Sequence, residues 1–159
     1  KDRIPMIDIP LKDNQIWKDG IFEFKVIHVP GHTSGHICFH FFNEKTVFTG
    51  DTLFSLGCGR IFEGSYEDMF NSLLRLKVLP PETKVYFGHE YTLNNAIFCQ
   101  RFDQNNSELN KKILNIKKKL DSGFPSVPST IKDELNCNIF LRAKNQEEFS
   151  KLRDLKDNF

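Results

Sequence analysis

The sequence predicts an α/β fold, with strands and helices interleaved over residues 1–103 and a small helical part over residues 104–159. Three observations carry this expectation. Apolar residues alternate along four short tracts, "IFEFKVIH" (21–28), "HICFHFF" (36–42), "KTVFTG" (45–50) and "KVYFGH" (84–89), which is the period of a half-buried strand. Between the third and fourth tracts, apolar residues recur at helical spacing. From Ser107 onward the alternation stops and amphipathic helical stretches replace it.

Each element has a local reason. Pro30-Gly31 stop the first strand, and Asn43-Glu44 join the second and third as an antiparallel hairpin. Ser65, with Asp68 three residues on, has the capping-box pattern of a helix start. Met69, Phe70, Leu73 and Leu74 follow at helical spacing, and Pro80-Pro81 end that helix. Residues 84–89 form a short strand that runs into a glycine turn, after which Thr92 is expected to cap a helix through Leu93, Ala96 and Ile97. Leu109, Ile113, Ile116 and Leu120 mark a lysine-rich helix that stops at Gly123. "FPSVPST" reads as a stiff connector. The last helix, about Gln146 to Asp157, sets Phe149, Leu152 and Leu155 on one side.

Composition narrows the function classes. With 159 residues, 39% apolar and 27% charged, the chain suits one soluble globular domain with a usable core. A net charge of +1 gives no reason to expect nucleic acid or an anionic membrane as partner. No apolar run approaches the ~18 residues that span a bilayer. No signal peptide is expected, and the absence of an initiating Met points to a fragment or a trimmed product. The four cysteines (Cys38, Cys58, Cys99, Cys137) form no C-x-x-C pair, which speaks for reduced thiols in a cytoplasmic protein. Sixteen phenylalanines either fill a core or cover a face that needs a partner.

His28, His32, His36 and His40 recur every four residues in "HVPGHTSGHICFH", a rhythm that on a helix would stack imidazoles as a metal ladder. Pro30, Gly31 and Gly35 forbid that helix. The stretch is instead strand, turn and strand. Three turns then stand out, each after or between strands: "PGHTSGH" (30–36), "TGDTLF" (49–54) and "FGHEYT" (87–92). Each places one strong ligand type, His32, Asp51 or His89, beside glycine, where backbone can approach an ion. Imidazole with carboxylate suits zinc, iron or manganese better than calcium.

These turns, with "FTGDTLFSLGCGRIFEG", "LPPETKVYFGHEYT" and "PSTIKDELNCNIFLR", resemble the second half of glyoxalase II, the hydroxyacylglutathione hydrolase branch of the metallo-β-lactamase fold. The similarity runs from about residue 20 to the end. It implies the C-terminal half of an αβ/βα fold, incomplete here, with the family's helical C-terminal part. It also implies a metal-dependent thioesterase that takes S-D-lactoylglutathione to glutathione and D-lactate. Two neighbouring cations would activate a water and polarise the thioester carbonyl.

Carried over by position, His32 matches the histidine that completes a three-histidine set on one metal. Asp51 matches the aspartate shared by both metals, and His89 a histidine on the second. His36 recurs in the motif and is read either as a support behind the metal ligands or as structural, while His28 and His40 have no implied role. Arg60 stands where the family often has lysine, and Phe62 where many members have tyrosine, so a phenol hydroxyl is missing there. Tyr91 matches the tyrosine after the third turn. Arg153 and Lys156, three apart on the last helix, match the basic pair that holds the substrate's glycine carboxylate.

The family's earlier signature, T-H-x-H-x-D-H, does not occur in this chain. Ligand counting therefore leaves His32 and Asp51 for one metal and Asp51 and His89 for the other, short of the three protein ligands usual at a catalytic zinc. The expected reading is a hydrolase that is weak or inactive alone. Two alternatives stand beside it: a non-catalytic relic that self-associates or binds a partner, and a mononuclear metal-binding module. Half of a two-sheet fold also exposes an apolar sheet face, so a homodimer or a separate N-terminal half is expected to cover it.

Overall fold

The computed structural model describes residues 4–159. Six strands form one mixed sheet in the order β1-β2-β3-β4-β7-β8: β1 (Ile16–Asp19), β2 (Phe22–His28), β3 (Ile37–Phe41), β4 (Thr46–Gly50), β7 (Lys84–Phe87) and β8 (Ser129–Thr130). The first four are antiparallel neighbours. β4 and β7 run parallel, joined through helix α1 (Tyr66–Lys77), and β8 closes the sheet antiparallel to β7. A two-stranded hairpin, β5 (Leu53–Phe54) with β6 (Gly57–Cys58), rises from the end of β4.

Strand alternation gives the sheet two unlike faces. Ile27, Cys38, Val47 and Val85 point to one side and join α1 residues Met69, Leu73 and Leu76 in a buried core. The other side carries aromatic rings from four strands: Phe22 and Phe24 on β2, Phe39 and Phe41 on β3, Phe48 on β4 and Tyr86 on β7. Ring centroids stand 5.1–6.5 Å apart along this ladder. Its packing is incomplete, since Phe22 is 59% and Phe48 44% exposed.

Helix α1 starts as its sequence predicts. Ser65 accepts from the Asp68 amide while the Asp68 carboxylate accepts from the Ser65 amide. Gly31 is required beneath it: at φ +143° its backbone passes so close that an added Cβ would stand 2.8 Å from the Met69 Cβ. That contact seats the 30–36 turn on α1. Asp13 adds a second fastening, accepting from the His28 amide at 2.8 Å and from Arg75 at 2.9 Å. Nothing in the pattern of the first twenty residues signals this.

Beyond β7 lie α2 (Thr92–Phe102), α3 (Ser107–Asp121), α4 (Ile131–Cys137), α5 (Ile139–Arg142) and α6 (Gln146–Asp157). Leu109, Ile113, Ile131, Phe140 and Phe149 share one continuous core with the strand residues. Several expectations need correction. Thr92 does not cap α2: Tyr91 occupies that place without a side-chain cap, and the Thr92 hydroxyl bonds Ser126 at 2.6 Å. On α6 the buried side consists of Phe149 and Arg153, while Leu155 is 51% exposed. The connector after Gly123 carries β8 and a cis Val127–Pro128 bond. No described helix is long and apolar enough to cross a membrane.

Candidate active site

The three glycine turns meet at one end of the sheet. His32 follows β2, and its Nδ1 lies 2.9 Å from the Arg60 carbonyl, which leaves Nε2 facing Asp51 Oδ2 at 3.5 Å. His89 follows β7, stacks on Tyr91 with centroids 5.0 Å apart, and sets its Nε2 3.2 Å from Asp51 Oδ1. The two imidazoles therefore address opposite oxygens of one carboxylate. Asp51 Oδ1 is buried and accepts no hydrogen bond despite its nearness to His89.

Backbone packing holds this carboxylate in place. Gly88 donates to the Gly50 carbonyl at 3.0 Å, tying the third turn to the second. A Cβ at Gly88 would come within 2.7 Å of Asp51 Oδ1, and one at Gly59 within 1.9 Å of the Asp51 carbonyl oxygen. His36 Nε2 lies 3.3 Å from both the Thr49 carbonyl and the Asp51 amide. Protonated there it donates to the first, and unprotonated it accepts from the second. His28 reaches the Ser34 carbonyl, and His40 pairs across the sheet with Lys25, where burial and then that lysine push its pKa down.

The donor types, a carboxylate with an imidazole nitrogen near each of its oxygens, are ones that a divalent transition metal accepts. A buried carboxylate oxygen without a hydrogen bond, 3.2 Å from an imidazole nitrogen, is an arrangement a cation would stabilise. Among the described residues, no group of three or more His, Cys, Asp or Glu side chains is disposed to hold an ion.

A cavity of about 550 Å³ opens beside this centre, and all eight residues singled out from the sequence line it: His32, Asp51, Arg60, Phe62, His89, Tyr91, Arg153 and Lys156. The Phe62 ring lies 4.9 Å from that of His32 and is 69% exposed. The far wall is basic. Arg153, only 3% exposed, donates to the Cys58 carbonyl at 2.9 Å and to Asp157 at 2.8 Å. Its Nε is buried without a partner. Arg60 Nε approaches the same Asp157 oxygen at 3.4 Å. Lys156 lies over the rings of Phe98 and Phe159 at 5.1 and 4.6 Å. Burial, followed by the charges of Arg153 and Arg60, brings its pKa down to about 8.

Residues that sequence reasoning missed complete the lining: Phe54, Cys58, Gly59, Asn94, Asn95 and Phe159. Phe54 closes the second turn but is no ligand type, and the others lie outside the three turns; α6 meets this wall where Arg153 bonds the Cys58 carbonyl and Lys156 the Asn94 carbonyl. Glu90 was missed as well. Burial tends to raise its pKa, but the hydroxyl and amide of Ser126 outweigh this, holding it below the usual range and tying the connector to the third turn.

Comparison with known proteins places the chain in a family. Residues 7–89 match the family profile described as metallo-beta-lactamase superfamily, and residues 90–159 match that of the hydroxyacylglutathione hydrolase C-terminus. Hydroxyacylglutathione hydrolase of Pelagibacter ubique (strain HTCC1062) is 61% identical over 159 residues, covering 100% of this chain and 66% of that protein. The enzyme of the same name from Cereibacter sphaeroides (strain ATCC 17029 / ATH 2.4.9) is 40% identical, covering 99% and 67%. The chain thus spans about two thirds of the length of the curated relatives it matches. Among solved structures, ETHE1 from Myxococcus xanthus aligns with a TM-score of 0.67 and 25% identity, over 94% of this chain and 53% of that one. A metallo-beta-lactamase from Staphylococcus aureus subsp. aureus COL shares the fold at a TM-score of 0.60 and 19% identity, over 94% and 45%. The chain belongs to the hydroxyacylglutathione hydrolase family, within the metallo-beta-lactamase superfamily.

Proposed function

We propose that this chain forms the substrate-binding portion of a cytoplasmic hydroxyacylglutathione hydrolase, which cleaves S-D-lactoylglutathione to glutathione and D-lactate. One observation carries the reading. A carboxylate set between two imidazoles and a wall of three cationic side chains share one cavity. His32, Asp51 and His89 would hold zinc, with iron or manganese as the other candidates, and a further protein segment would supply the remaining ligands. Bound there, such ions supply a nucleophilic water and polarise the carbonyl. Asp51 is the catalytic residue, oriented by His36 and by the glycine backbones around it.

The chain's own residues bind and orient the thioester. Arg60, Arg153 and Lys156 recognise the carboxylates of glutathione, with Asp157 holding the two guanidinium groups in line. Tyr91 and Phe62 flank the histidines and offer ring faces to the substrate at the reacting end. The aromatic face of the sheet is covered by a second copy of the chain or by a separate N-terminal half. The decisive experiment is hydrolysis of S-D-lactoylglutathione by this chain with zinc, with and without a supplied N-terminal half. Turnover is expected only with both, and robust turnover by the chain alone would refute the ligand count.

Lys156 gives the binding step a pH signature. Its pKa of about 8 means the ammonium is present below that pH and is lost above it. Affinity for a non-hydrolysable glutathione thioether, read by calorimetry, is therefore expected to weaken as pH rises from 7 to 9. Lys156→Met should abolish that dependence. A slope unchanged in the variant would remove Lys156 from the carboxylate site.

A further inference from the structure

The hairpin turn between β5 and β6 holds a leucine where glycine is expected. Leu56 has φ +60°, in the left-handed region where a Cβ crowds the following carbonyl oxygen. Such a conformation persists only where the surroundings over-determine it. Here they do. The Leu56 amide donates to Glu134 Oε2 at 2.7 Å, and its carbonyl accepts from Cys99 Sγ at 3.2 Å. Asn138 donates to the carbonyls of Phe54 and Gly57, and Asn95 to that of Ser55.

Glu134 is the centre of this clamp. It is fully buried on α4, and its second oxygen accepts from Lys112 of α3 at 2.8 Å, from Ser55 at 3.3 Å and from Ser129 of β8. One carboxylate thus joins three elements of the C-terminal part to a turn of the sheet part. The turn in turn shapes the cavity. Phe54 and Cys58 stand at its two ends and line the cavity, and the Cys58 carbonyl is the group that holds Arg153.

We propose that Glu134 is a positioning residue for glutathione recognition: it fixes the left-handed turn at Leu56 so that Phe54 and the Cys58 carbonyl set the cavity wall and the Arg153 guanidinium. This rests on the reading of the cavity as a glutathione site. It gives the C-terminal helices a role in recognition beyond carrying Arg153 and Lys156. Glu134 touches no substrate and acts through the turn.

The test uses the full chain, S-hexylglutathione as a non-hydrolysable probe, and the variants Glu134→Gln and Glu134→Gln/Lys112→Met. In Glu134→Gln the Kd for the probe is expected to rise about tenfold, as follows from weakening a charge-assisted hydrogen bond to a neutral one. The Leu56 amide resonance should move upfield and its hydrogen exchange should accelerate. Adding Lys112→Met removes a buried ammonium left with only Asp133 at 3.5 Å and the Ser129 hydroxyl, so thermal stability should recover while the Kd stays weak. Binding as tight as the parent's in either variant, or recovery of binding together with stability, would reduce Glu134 to a structural residue. Should the parent itself fail to bind the probe, the glutathione reading falls. The Leu56 amide and the Arg153 side-chain resonances then decide the positioning alone: a shift in Glu134→Gln supports it, and unchanged signals overturn it.

Discussion

Asp51→Ala is expected to lose metal retention and thioester hydrolysis together, when the chain is assayed with zinc and a supplied N-terminal half. Asp51 is the group that both His32 and His89 face, so its loss would remove the ligand that the proposed centre shares between its two sides. Changing a residue that merely orients a ligand typically costs ~10–100-fold in metal affinity or activity, and a shared ligand should exceed the upper end of that range. The same change has the opposite sign for the metal-free fold. Asp51 Oδ1 is buried without a hydrogen bond, and an unsatisfied polar group of this kind costs about 1–3 kcal/mol. The metal-free variant should therefore melt at or above the parent temperature. Metal content after dialysis and a thermal melt test the two halves separately. Full metal retention by the alanine variant would refute the proposed centre.

The second large effect is expected at the aromatic face. Phe48 stacks on Tyr86 with centroids 5.3 Å apart, meets Phe41 edge-on at 5.6 Å, and is 44% exposed. Phe48→Lys keeps the stem against its neighbours but places an ammonium where a second sheet or copy would seat. An aromatic anchor at the centre of an interface is commonly worth ~2–4 kcal/mol, so assembly should weaken by about 30-fold to several hundredfold. The isolated chain should keep its helical circular dichroism, because the helix-packed core of Val47 and Val85 lies on the opposite face. Light scattering across micromolar concentrations and complementation by the N-terminal half read the loss. A parent chain that stays strictly monomeric and is not complemented would remove this face as an interface.

The legible part of the fold was the part with strong period or strong punctuation. The capping box at Ser65, the hairpin at Asn43-Glu44 and the last helix from Gln146 to Asp157 stand where local chemistry places them. The elements that were not legible are short: β1, β8, the β5–β6 hairpin, α4 and α5. Two to seven residues carry too little period to separate strand from helix, and these elements persist through contacts made by residues distant in sequence. Thr92 shows the same limit at one residue. Its type favours a cap, but a buried hydroxyl partner on the connector claimed it for α2's first turn.

The candidate site divides along the same line. The ligand types and their glycine turns lie in short contiguous motifs, and the family resemblance rests on those motifs, so the eight lining residues could be named from the sequence. What it did not contain was how they are held. That Arg153 is buried and anchored to Cys58, that Asp157 spans two guanidiniums, and that Glu134 supports a left-handed leucine depend on residues 78 to 97 positions apart. The sequence by itself determined which chemical groups are available and which turns present them, because backbone geometry at proline, glycine and caps is local. Only the tertiary structure decided which of those groups remain charged, bonded or free, because burial and partnership are properties of the packed chain.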